Sequence, residues 1–411
     1  MKLLLPLICI LALQASAQSG RDIVIGKRDT LFSHILNEKR GILIHLPHDG
    51  NNPFTSVRYP VVYLLDGDAH FPSVEGLIQQ LTEVNGNTAF PEMIIVGIPN
   101  TDRQRDLTPT HVKTSIFGDS NSVRTSGGGE NFTAFIEKEL IPHIDSLYPT
   151  APYRIMIGHS LGGLMVINTL IHHPQLFNSY IAIDPSMWWD DRKLLKEAEV
   201  ALAHEKFTGK TLYMGVANTM PDGMDTAKVR KDTTNNTLHI RSILRLAAAI
   251  KKNKSNGLRF RYRYYPDDSH GTVPLITEYD GLRFMFDFYS FRGFDRLVNK
   301  DIPADSAIVL FKTRFRALSE NMGYTILPPE DMVNSLGYYF LQSNQPAKSF
   351  AFFKMNTENY PKSGNTFDSL GDYYSSAGDR EKAIEAYAKC LTLWDNPDTR
   401  KKLEEQKAKN H

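Results

Sequence analysis

A serine set between closely spaced glycines is the strongest chemical signal in this sequence. Gly158-His159-Ser160-Leu161-Gly162 has the pattern G-x-S-x-G, with strand-like residues 154–157 before it and helix-like residues 161–173 after it. A strand that enters a tight turn and leaves as a helix lifts the serine above the sheet edge, where the helix dipole favours a developing negative charge. Ser160 is therefore predicted to be a nucleophile. The competing interpretation is a glycine-rich turn with a bystander serine.

A nucleophilic serine needs a base, and His270 is predicted to fill that role. In this type of site the base follows the nucleophile along the chain, and His270 comes just after the last predicted strand, Phe260–Tyr265. A loop at that point can bring an imidazole to Ser160 to remove its proton. The other histidines fit less well: His172 and His173 end the helix after the serine, His204 and His239 lie in helical patterns typical of surface or packing residues, and His70 follows a strand where it could line a pocket.

The carboxylate that orients the base stays open from sequence. Asp222 is our first choice because it lies closest to the end of the predicted strand Thr211–Val216. The alternatives are Asp225, Asp232 and Asp184, or a serine–histidine pair without a strong acid.

An oxyanion hole is expected from two backbone amides. One is that of Leu161, directly after the nucleophile. The second is that of Gly67 or Asp68, which follow the strand-like residues 63–65 in a glycine turn. An ordinary turn would have the same local shape.

Four further residues are candidates for binding the substrate: Trp188, Trp189, His159 and Arg103. The tryptophans fit two roles equally well: an aromatic wall that contacts a planar substrate group, or filling of the hydrophobic core. Arg103 and Arg105 are suited to an anionic substrate, although salt bridges with Asp102 and Asp106 are the better-supported interpretation. A serine–histidine mechanism requires neither metal nor cofactor, and we expect none.

The elements that would position these residues alternate between short apolar runs and helical stretches from about residue 20 to 290. This alternation predicts an α/β domain, over 20–292, built on a parallel sheet covered on both faces. Helical patterns lie at Asn131–Asp145, Leu161–His173 and Leu238–Lys252. The predicted strands are Gly41–Leu46, Val61–Leu65, Met93–Ile98, Ile155–Gly158, Ser179–Ile183, Thr211–Val216 and Phe260–Tyr265.

A different pattern, an internal helical repeat, is predicted within residues 300–411. Leu336, Gly337 and Tyr339 recur at position i+34, as Leu370, Gly371 and Tyr373. Phe353 pairs with Tyr387 in the same register. This period resembles the tetratricopeptide repeat. Two copies are fewer than the three that are usually needed for independent stability, so we expect the pair to pack on the α/β domain or on a helix at 305–320. Coincidental amphipathic helices are the alternative.

Composition and the first residues limit the classes of protein that need consideration. Of 411 residues, 47 are Lys or Arg and 46 are Asp or Glu, a balance that argues against a general nucleic-acid binder. Two cysteines are too few for a disulfide scaffold or a cysteine-rich zinc site. Residues 1–17 are predicted to be a signal peptide, with a short apolar run before Ala15-Ser16-Ala17. We therefore expect an exported protein, periplasmic or secreted, without a membrane span.

Six motifs follow one another along roughly residues 25–290: Tyr59–Gly67, Gly97–Pro109, Glu139–Ile144, Gly158–Gly163, Pro174–Phe177 and Asp184–Trp189. Taken together they resemble the putative esterase family, which includes esterase D-type enzymes, enterobactin-type siderophore esterases and some feruloyl and acetylxylan esterases. The resemblance implies an α/β-hydrolase fold, a cofactor-free esterase and catalytic roles for Ser160 and His270.

Two departures from the family pattern accompany this resemblance. The loop that begins at Asn218 is longer and lacks a glutamate found there in many siderophore esterases, and the helical repeats are absent from many relatives. The leading hypothesis is an exported serine esterase that forms an acyl-enzyme on a siderophore or a feruloyl or acetyl polysaccharide ester. The alternatives are an interaction protein that binds a partner through its repeats, with a secondary or inactive hydrolase domain, and an acyltransferase.

Overall fold

The structure is a computed structural model that describes residues 23–47, 57–115 and 118–408. The predicted signal peptide at 1–17 lies outside these residues. Among the described helices, none has the length and apolar character needed to cross a membrane.

A single sheet of eight strands forms the centre of the first part of the chain, in the order β1-β2-β4-β3-β5-β6-β7-β8. Strands β3 to β8 are parallel to one another, whereas β1 pairs with β2, and β2 with β4, in the antiparallel sense. The prediction of a parallel sheet is therefore wrong at this edge, and β1 was not predicted, because its charged residues disguise an edge strand. The strands are Lys27–Ser33 (β1), Glu38–His45 (β2), Tyr59–Leu65 (β3), Ile94–Ile98 (β4), Thr150–His159 (β5), Ser179–Ile183 (β6), Thr211–Ala217 (β7) and Arg259–Tyr265 (β8).

Helices cover both faces of the sheet, which explains why its central strands are continuous apolar runs. In β3, Val61, Tyr63 and Leu65 face one hydrophobic cluster, and Val62 and Leu64 face the other. This is the three-layer arrangement of an α/β-hydrolase fold. The helices are Gly67–Thr82 (α1), Arg103–Asp106 (α2), Gly129–Phe135 (α3), Ile141–Leu147 (α4), Leu161–His172 (α5), Trp189–His204 (α6), Thr226–Val229 (α7), Leu238–Lys252 (α8) and Val273–Met285 (α9), with a π-helical turn at Ile136–Leu140.

The rest of the chain is helical. Two antiparallel helix pairs, α12 with α13 and α14 with α15, begin and end at equivalent positions i and i+34. A contact recurs with them: a Cβ atom on Gly337 would lie 2.5 Å from the Phe353 ring, and one on Gly371 would lie 2.5 Å from the Tyr387 ring. The helices are Phe294–Val298 (α10), Ala304–Met322 (α11), Glu330–Gln342 (α12), Pro346–Asn359 (α13), Gly364–Ser376 (α14), Arg380–Leu393 (α15) and Pro397–Ala408 (α16).

Helix α11 joins the helical region to the sheet. Its Phe311 and Phe315 belong to the same buried cluster as Phe340 and Phe352 of the first helix pair. Its last residue, Met322, belongs to the cluster beneath the sheet. The first pair thus packs against the helix at 305–320, as the shortage of repeats predicts.

Candidate active site

Ser160 occupies a strained turn between β5 and α5. Its backbone angles are φ 60° and ψ −113°, a conformation that costs an ordinary L-residue of order 1–3 kcal/mol. The glycines around it permit close approach, because a Cβ atom on Gly158 would lie 2.5 Å from the Gly162 carbonyl and one on Gly163 would lie 2.9 Å from Pro185 Cα. The turn is held by hydrogen bonds from the Ser160 amide to the Ile183 carbonyl and from the Ser186 amide to the Ser160 carbonyl.

His270 reaches Ser160 from the loop after β8. Its Nε2 lies 3.1 Å from Ser160 Oγ, and its Nδ1 lies 2.6 Å from Asp184 Oδ2. With Nδ1–H donating to the carboxylate, Nε2 carries the lone pair that accepts the serine proton. Ser186 Oγ, at 3.3 Å, is a second polar neighbour of Ser160 Oγ. The serine, the imidazole and a carboxylate therefore form one continuous chain of hydrogen bonds.

Asp184 is fully buried at the end of β6 and accepts three hydrogen bonds. Besides His270, His239 Nε2 donates to Oδ2 at 2.8 Å, and the Ala217 amide donates to Oδ1 at 3.0 Å. Burial raises the pKa of this carboxyl, but the hydrogen bonds from the two imidazoles outweigh burial and hold the pKa well below its ordinary value. Asp184 is consequently ionised at neutral pH.

The choice of Asp222 as the orienting acid is wrong in this structure. Asp222 is exposed in the loop after β7, and the carboxylate on His270 is that of Asp184, which was one of the alternatives. The other two alternatives have different partners: Asp225 accepts from the amides of Ala227 and Lys228 as a helix cap, and Asp232 accepts from the hydroxyls of Thr234 and Thr237. Chain position alone could not separate these acids, because each follows a strand that ends at the same sheet edge.

His239 is the residue of the site that the sequence pattern misjudged. It was expected to be a surface or packing residue, yet its side chain is four-fifths buried and bonded to Asp184. Its ring also stands edge-on to that of His270, with centroids 5.2 Å apart. It lies in the first turn of α8, and nothing in its spacing signals that this turn meets the end of β6.

His159 lies beside the base. Its ring is 4.5 Å from that of His270 and 5.7 Å from that of His70, centroid to centroid. Burial and the two neighbouring imidazoles lower the pKa of His159 to about 4, so it is a neutral ring at neutral pH. The proposed contact of His159 with substrate stays a prediction, whereas its packing against the base is direct.

Arg103 ties the end of β3 to the serine turn. Its guanidinium makes a bidentate pair with Asp66, at 2.6 and 2.9 Å, and donates to the His159 carbonyl at 3.2 Å. Arg103 is thus engaged with protein groups, in line with the salt-bridge interpretation, although its partner is Asp66 and not Asp102 or Asp106. Arg105 pairs with Asp106 and Glu38.

The two tryptophans, predicted to be either a substrate wall or core residues, differ in burial. Trp189 is 3% exposed and donates from Nε1 to the Thr110 carbonyl at 3.1 Å, so it is a core residue and not a substrate wall. Trp188 is half-buried against the same core. Its role as an aromatic wall stays a prediction.

The expected oxyanion donors all lie at helix starts. Leu161 opens α5, and Gly67 and Asp68 open α1, where backbone N–H groups have no acceptor within the helix. The turn at Gly67 is close-packed, since a Cβ atom there would lie 2.6 Å from the Ile98 amide nitrogen. The assignment of these amides to an oxyanion remains a prediction.

Asp184, His239 and His270 offer one carboxylate oxygen and two imidazole nitrogens within 4.8 Å of one another, the only such group of three in the described chain. These atoms already bond to one another at 2.6 and 2.8 Å. A cation bound there would have to replace the hydrogen bonds that orient the base, so the arrangement fits proton transfer better than metal binding.

Glu278 of α9 is a buried carboxyl that sequence reasoning did not single out. It accepts from Ser73 Oγ at 2.9 Å, and its other oxygen lies 3.4 Å from His70 Nδ1. Burial raises the pKa of Glu278 to about 7, and the bond from Ser73 offsets only part of this effect. Burial likewise lowers the pKa of His70, so both groups of this contact are shifted toward their neutral forms.

Comparison with known proteins places these features in a wider group. A family model described as "Putative esterase" matches residues 33–255. The crystal structure of an IroE-like serine hydrolase from Shewanella oneidensis superposes with a TM-score of 0.66 at 30% identity, over 81% of this chain and 99% of that one.

Two curated relatives carry names that specify a substrate. Ferri-bacillibactin esterase BesA of Bacillus subtilis is 33% identical over 177 residues, 40% of this chain and 60% of the relative. The siderophore enterobactin esterase of Emericella nidulans is 30% identical over 149 residues, 33% of this chain and 49% of the relative. The chain thus spans about half to three-fifths of the length of these relatives.

Replacing Asp184 and Asp222 in turn should show which of the two carboxylates orients His270. Asp184→Asn is expected to lower kcat for a p-nitrophenyl ester by roughly 10²–10⁴-fold, because an amide cannot fix the His270 tautomer or stabilise its protonated form. Asp222→Asn, the matched control in an exposed loop, should change kcat less than about twofold. Steady-state kinetics checks both, and a larger loss in the Asp222 variant would reverse the assignment.

Glu278 should make stability fall as pH rises. Its pKa is raised on folding, so its contribution is fully present below the unfolded value near 4.5 and is lost as pH rises through about 7. Glu278→Gln should therefore raise the unfolding free energy relative to wild type by roughly 1–3 kcal/mol more at pH 8 than at pH 5. Thermal unfolding at the two pH values measures this difference. The variant of an exposed carboxyl, Glu320→Gln, serves as control. If Glu278→Gln changed the unfolding free energy equally at both pH values, the raised pKa of Glu278 would be contradicted.

Proposed function

The chain belongs to the putative esterase family, and from this premise we propose that it is a serine hydrolase that cleaves carboxylic esters. The single observation that carries the proposal is the hydrogen-bonded chain Ser160–His270–Asp184, with distances of 3.1 and 2.6 Å. Such a chain delivers a serine oxygen to a carbonyl carbon while storing its proton on the imidazole.

The first half of the reaction forms an acyl-enzyme. His270 Nε2 accepts the Ser160 proton as Oγ attacks the ester carbonyl, and the carbonyl oxygen becomes an oxyanion. The amides of Leu161 and of Gly67 or Asp68 are the proposed donors to that oxyanion. The tetrahedral intermediate collapses when protonated His270 gives its proton to the leaving alkoxide, which departs as an alcohol.

The second half releases the acid. Water attacks the acyl carbon while His270 Nε2 takes its proton, and the same proton returns to Ser160 Oγ as the acid leaves. Throughout, the ionised Asp184 keeps Nδ1–H in place and stabilises the positive imidazolium. His239 assists by holding the same carboxylate oxygen at 2.8 Å, so that Asp184 cannot turn away from His270.

A siderophore ester is the proposed substrate. Two relatives with 33% and 30% identity are named as siderophore esterases, and their alignments cover parts of their length. We also propose that the protein acts outside the cytoplasm, on the basis of the signal-peptide pattern at 1–17. The helices at 330–393 we propose to be tetratricopeptide-like, on the basis of their i+34 register, with a surface suited to a protein partner.

Labelling tests the nucleophile. A fluorophosphonate probe should modify the wild-type protein, because an activated serine attacks it, and Ser160→Ala should be neither labelled nor active on a p-nitrophenyl ester. Mass spectrometry of the labelled peptide locates the adduct. Ser186→Ala, which removes the neighbouring hydroxyl, should still be labelled. Labelling that persists in the Ser160 variant would refute the proposed nucleophile.

A panel of esters tests the substrate. Catecholate trilactone siderophores, ferric and iron-free, should be hydrolysed to linear products at rates at least tenfold above those for feruloylated and acetylated xylan. Ser160→Ala gives the background for each substrate. Product analysis by chromatography identifies the class of substrate. Turnover confined to the xylans would show that the substrate is a polysaccharide ester and not a siderophore.

A further inference from the structure

Four arginines line one cavity against helices α6 and α8. The cavity has a volume of about 390 Å³ and is lined by Arg192, Arg230, Arg241 and Arg245, together with Ser242, Leu244 and Ala248. No carboxylate is among its lining residues. Its size is within the range typical of sites that bind small molecules. We call this group of seven residues the arginine pocket.

Arg192 and Arg241 lie near the starts of α6 and α8, so one end of the arginine pocket lies at the edge of the sheet that carries Ser160. Helices α6 and α8 both begin at the carboxyl edge, α6 just after β6 and α8 at the turn where His239 contacts Asp184. Arg241 is two residues from His239, which places their Cα atoms within about 7 Å. Ligands of open α/β sheets bind at this edge.

Two of the four guanidinium groups are bonded to other protein groups. Arg245 makes a bidentate pair with Glu199, both contacts being 2.6 Å. Arg241 donates to Thr237 Oγ1 at 2.8 Å and to the Thr234 carbonyl at 2.6 Å. These bonds hold two positive groups in fixed positions against the pocket.

The other two guanidinium groups, those of Arg192 and Arg230, are unpaired in the described part of the chain. Within the described residues neither side chain has a hydrogen bond or an ion pair, and even the adjacent Asp190 and Asp191 do not pair with Arg192. Arg192 also has a left-handed backbone, with φ 63°, as do the two aspartates before it. Strained backbone of this kind clusters at active sites and ligand clamps.

The charges in the pocket oppose one another in the absence of a ligand. Like charges repel, and the positive end of α8, a helix of 15 residues, adds to the field. Glu199 pairs with Arg245, and Asp232 accepts from the Thr237 hydroxyl that Arg241 also contacts. Among the described residues, the uncompensated charges of the pocket are therefore those of Arg192 and Arg230. A compact group with two or more negative charges would remove this repulsion and accept bidentate bonds from the free guanidinium groups.

We propose that the arginine pocket is a binding site for a multiply charged anion, such as a polycarboxylate or a phosphate. The anion is either a separate ligand or the anionic part of the ester substrate itself, and the second source rests on the proposed function. In both cases Arg192 and Arg230 provide the unpaired contacts, and Arg241 and Arg245 form the fixed wall.

Thermal unfolding with citrate tests the site without reference to activity. Low-millimolar citrate should raise the Tm of the wild-type protein by several degrees over sodium chloride of equal ionic strength, since it binds only the folded state. The shift should vanish in Arg192→Gln/Arg230→Gln. Arg296→Gln/Arg316→Gln, which removes two exposed arginines from α10 and α11, should keep it.

The Tm measured without citrate shows whether the arginine variant is correctly folded. Without citrate, Arg192→Gln/Arg230→Gln should unfold at or above the wild-type Tm, because two repelling charges are gone. A citrate shift that is absent from the wild type, or equal in all three proteins, would overturn the proposed site.

Ester kinetics distinguishes the two sources of the anion. The substrates are p-nitrophenyl acetate and the mono-p-nitrophenyl ester of propane-1,2,3-tricarboxylic acid, which keeps two carboxylates. If the substrate carries the anion, the ratio of kcat/KM for the anionic ester to that for the acetate should fall about tenfold in Arg192→Gln/Arg230→Gln, mainly through KM. An unchanged ratio with a lost citrate shift identifies a separate ligand. Wild-type protein that hydrolyses neither ester would refute the proposed function, while the citrate shift would still decide the site.

Discussion

The geometry of the site depends on one buried carboxylate. Asp184 is fully inside the protein, and a charge there is tolerated only because it is bonded on every side. Its three donors come from β7, from the start of α8 and from the loop after β8, so a single residue fixes the mutual positions of three elements. The imidazole of His270 is oriented as a consequence, and Ser160 meets an acceptor that is already in place. The same bonds that stabilise the charge therefore build the reactive arrangement.

The serine turn and the edge of β3 are linked in a similar way. Ser160 holds a conformation that is unfavourable for its residue type, and the surrounding contacts must compensate for it. Arg103 supplies one such link, since it joins the Asp66 carboxylate to the carbonyl of His159, the residue before the serine. The positive side chain near Ser160 is thereby explained by its contacts with protein groups. Arg192 and Arg230, which are unpaired among the described residues, line the arginine pocket instead.

The helical region is continuous with the core of the α/β domain. Helix α11 contributes Phe311 to the cluster of the first helix pair and Met322 to the cluster beneath the sheet. The second pair repeats the first in the i+34 register, with a glycine of one helix against an aromatic ring of the next in both. A short array that cannot bury its end faces alone gains stability from such a support. The support also keeps the array at a fixed position relative to the sheet.

The sequence by itself determined the local features of this protein. The apolar runs predicted seven of the eight strands, the glycines around Ser160 predicted the turn, and the i+34 echo predicted the helix pairs, because each is a pattern within a short stretch of chain. Only the tertiary structure decided which acid orients His270, that His239 shares it, and that Trp189 is core. These depend on contacts between residues 33 to 86 positions apart, as between Asp184 and Ala217, His239 or His270. Local patterns carry no record of such contacts, since strand order and helix packing fix which ends meet.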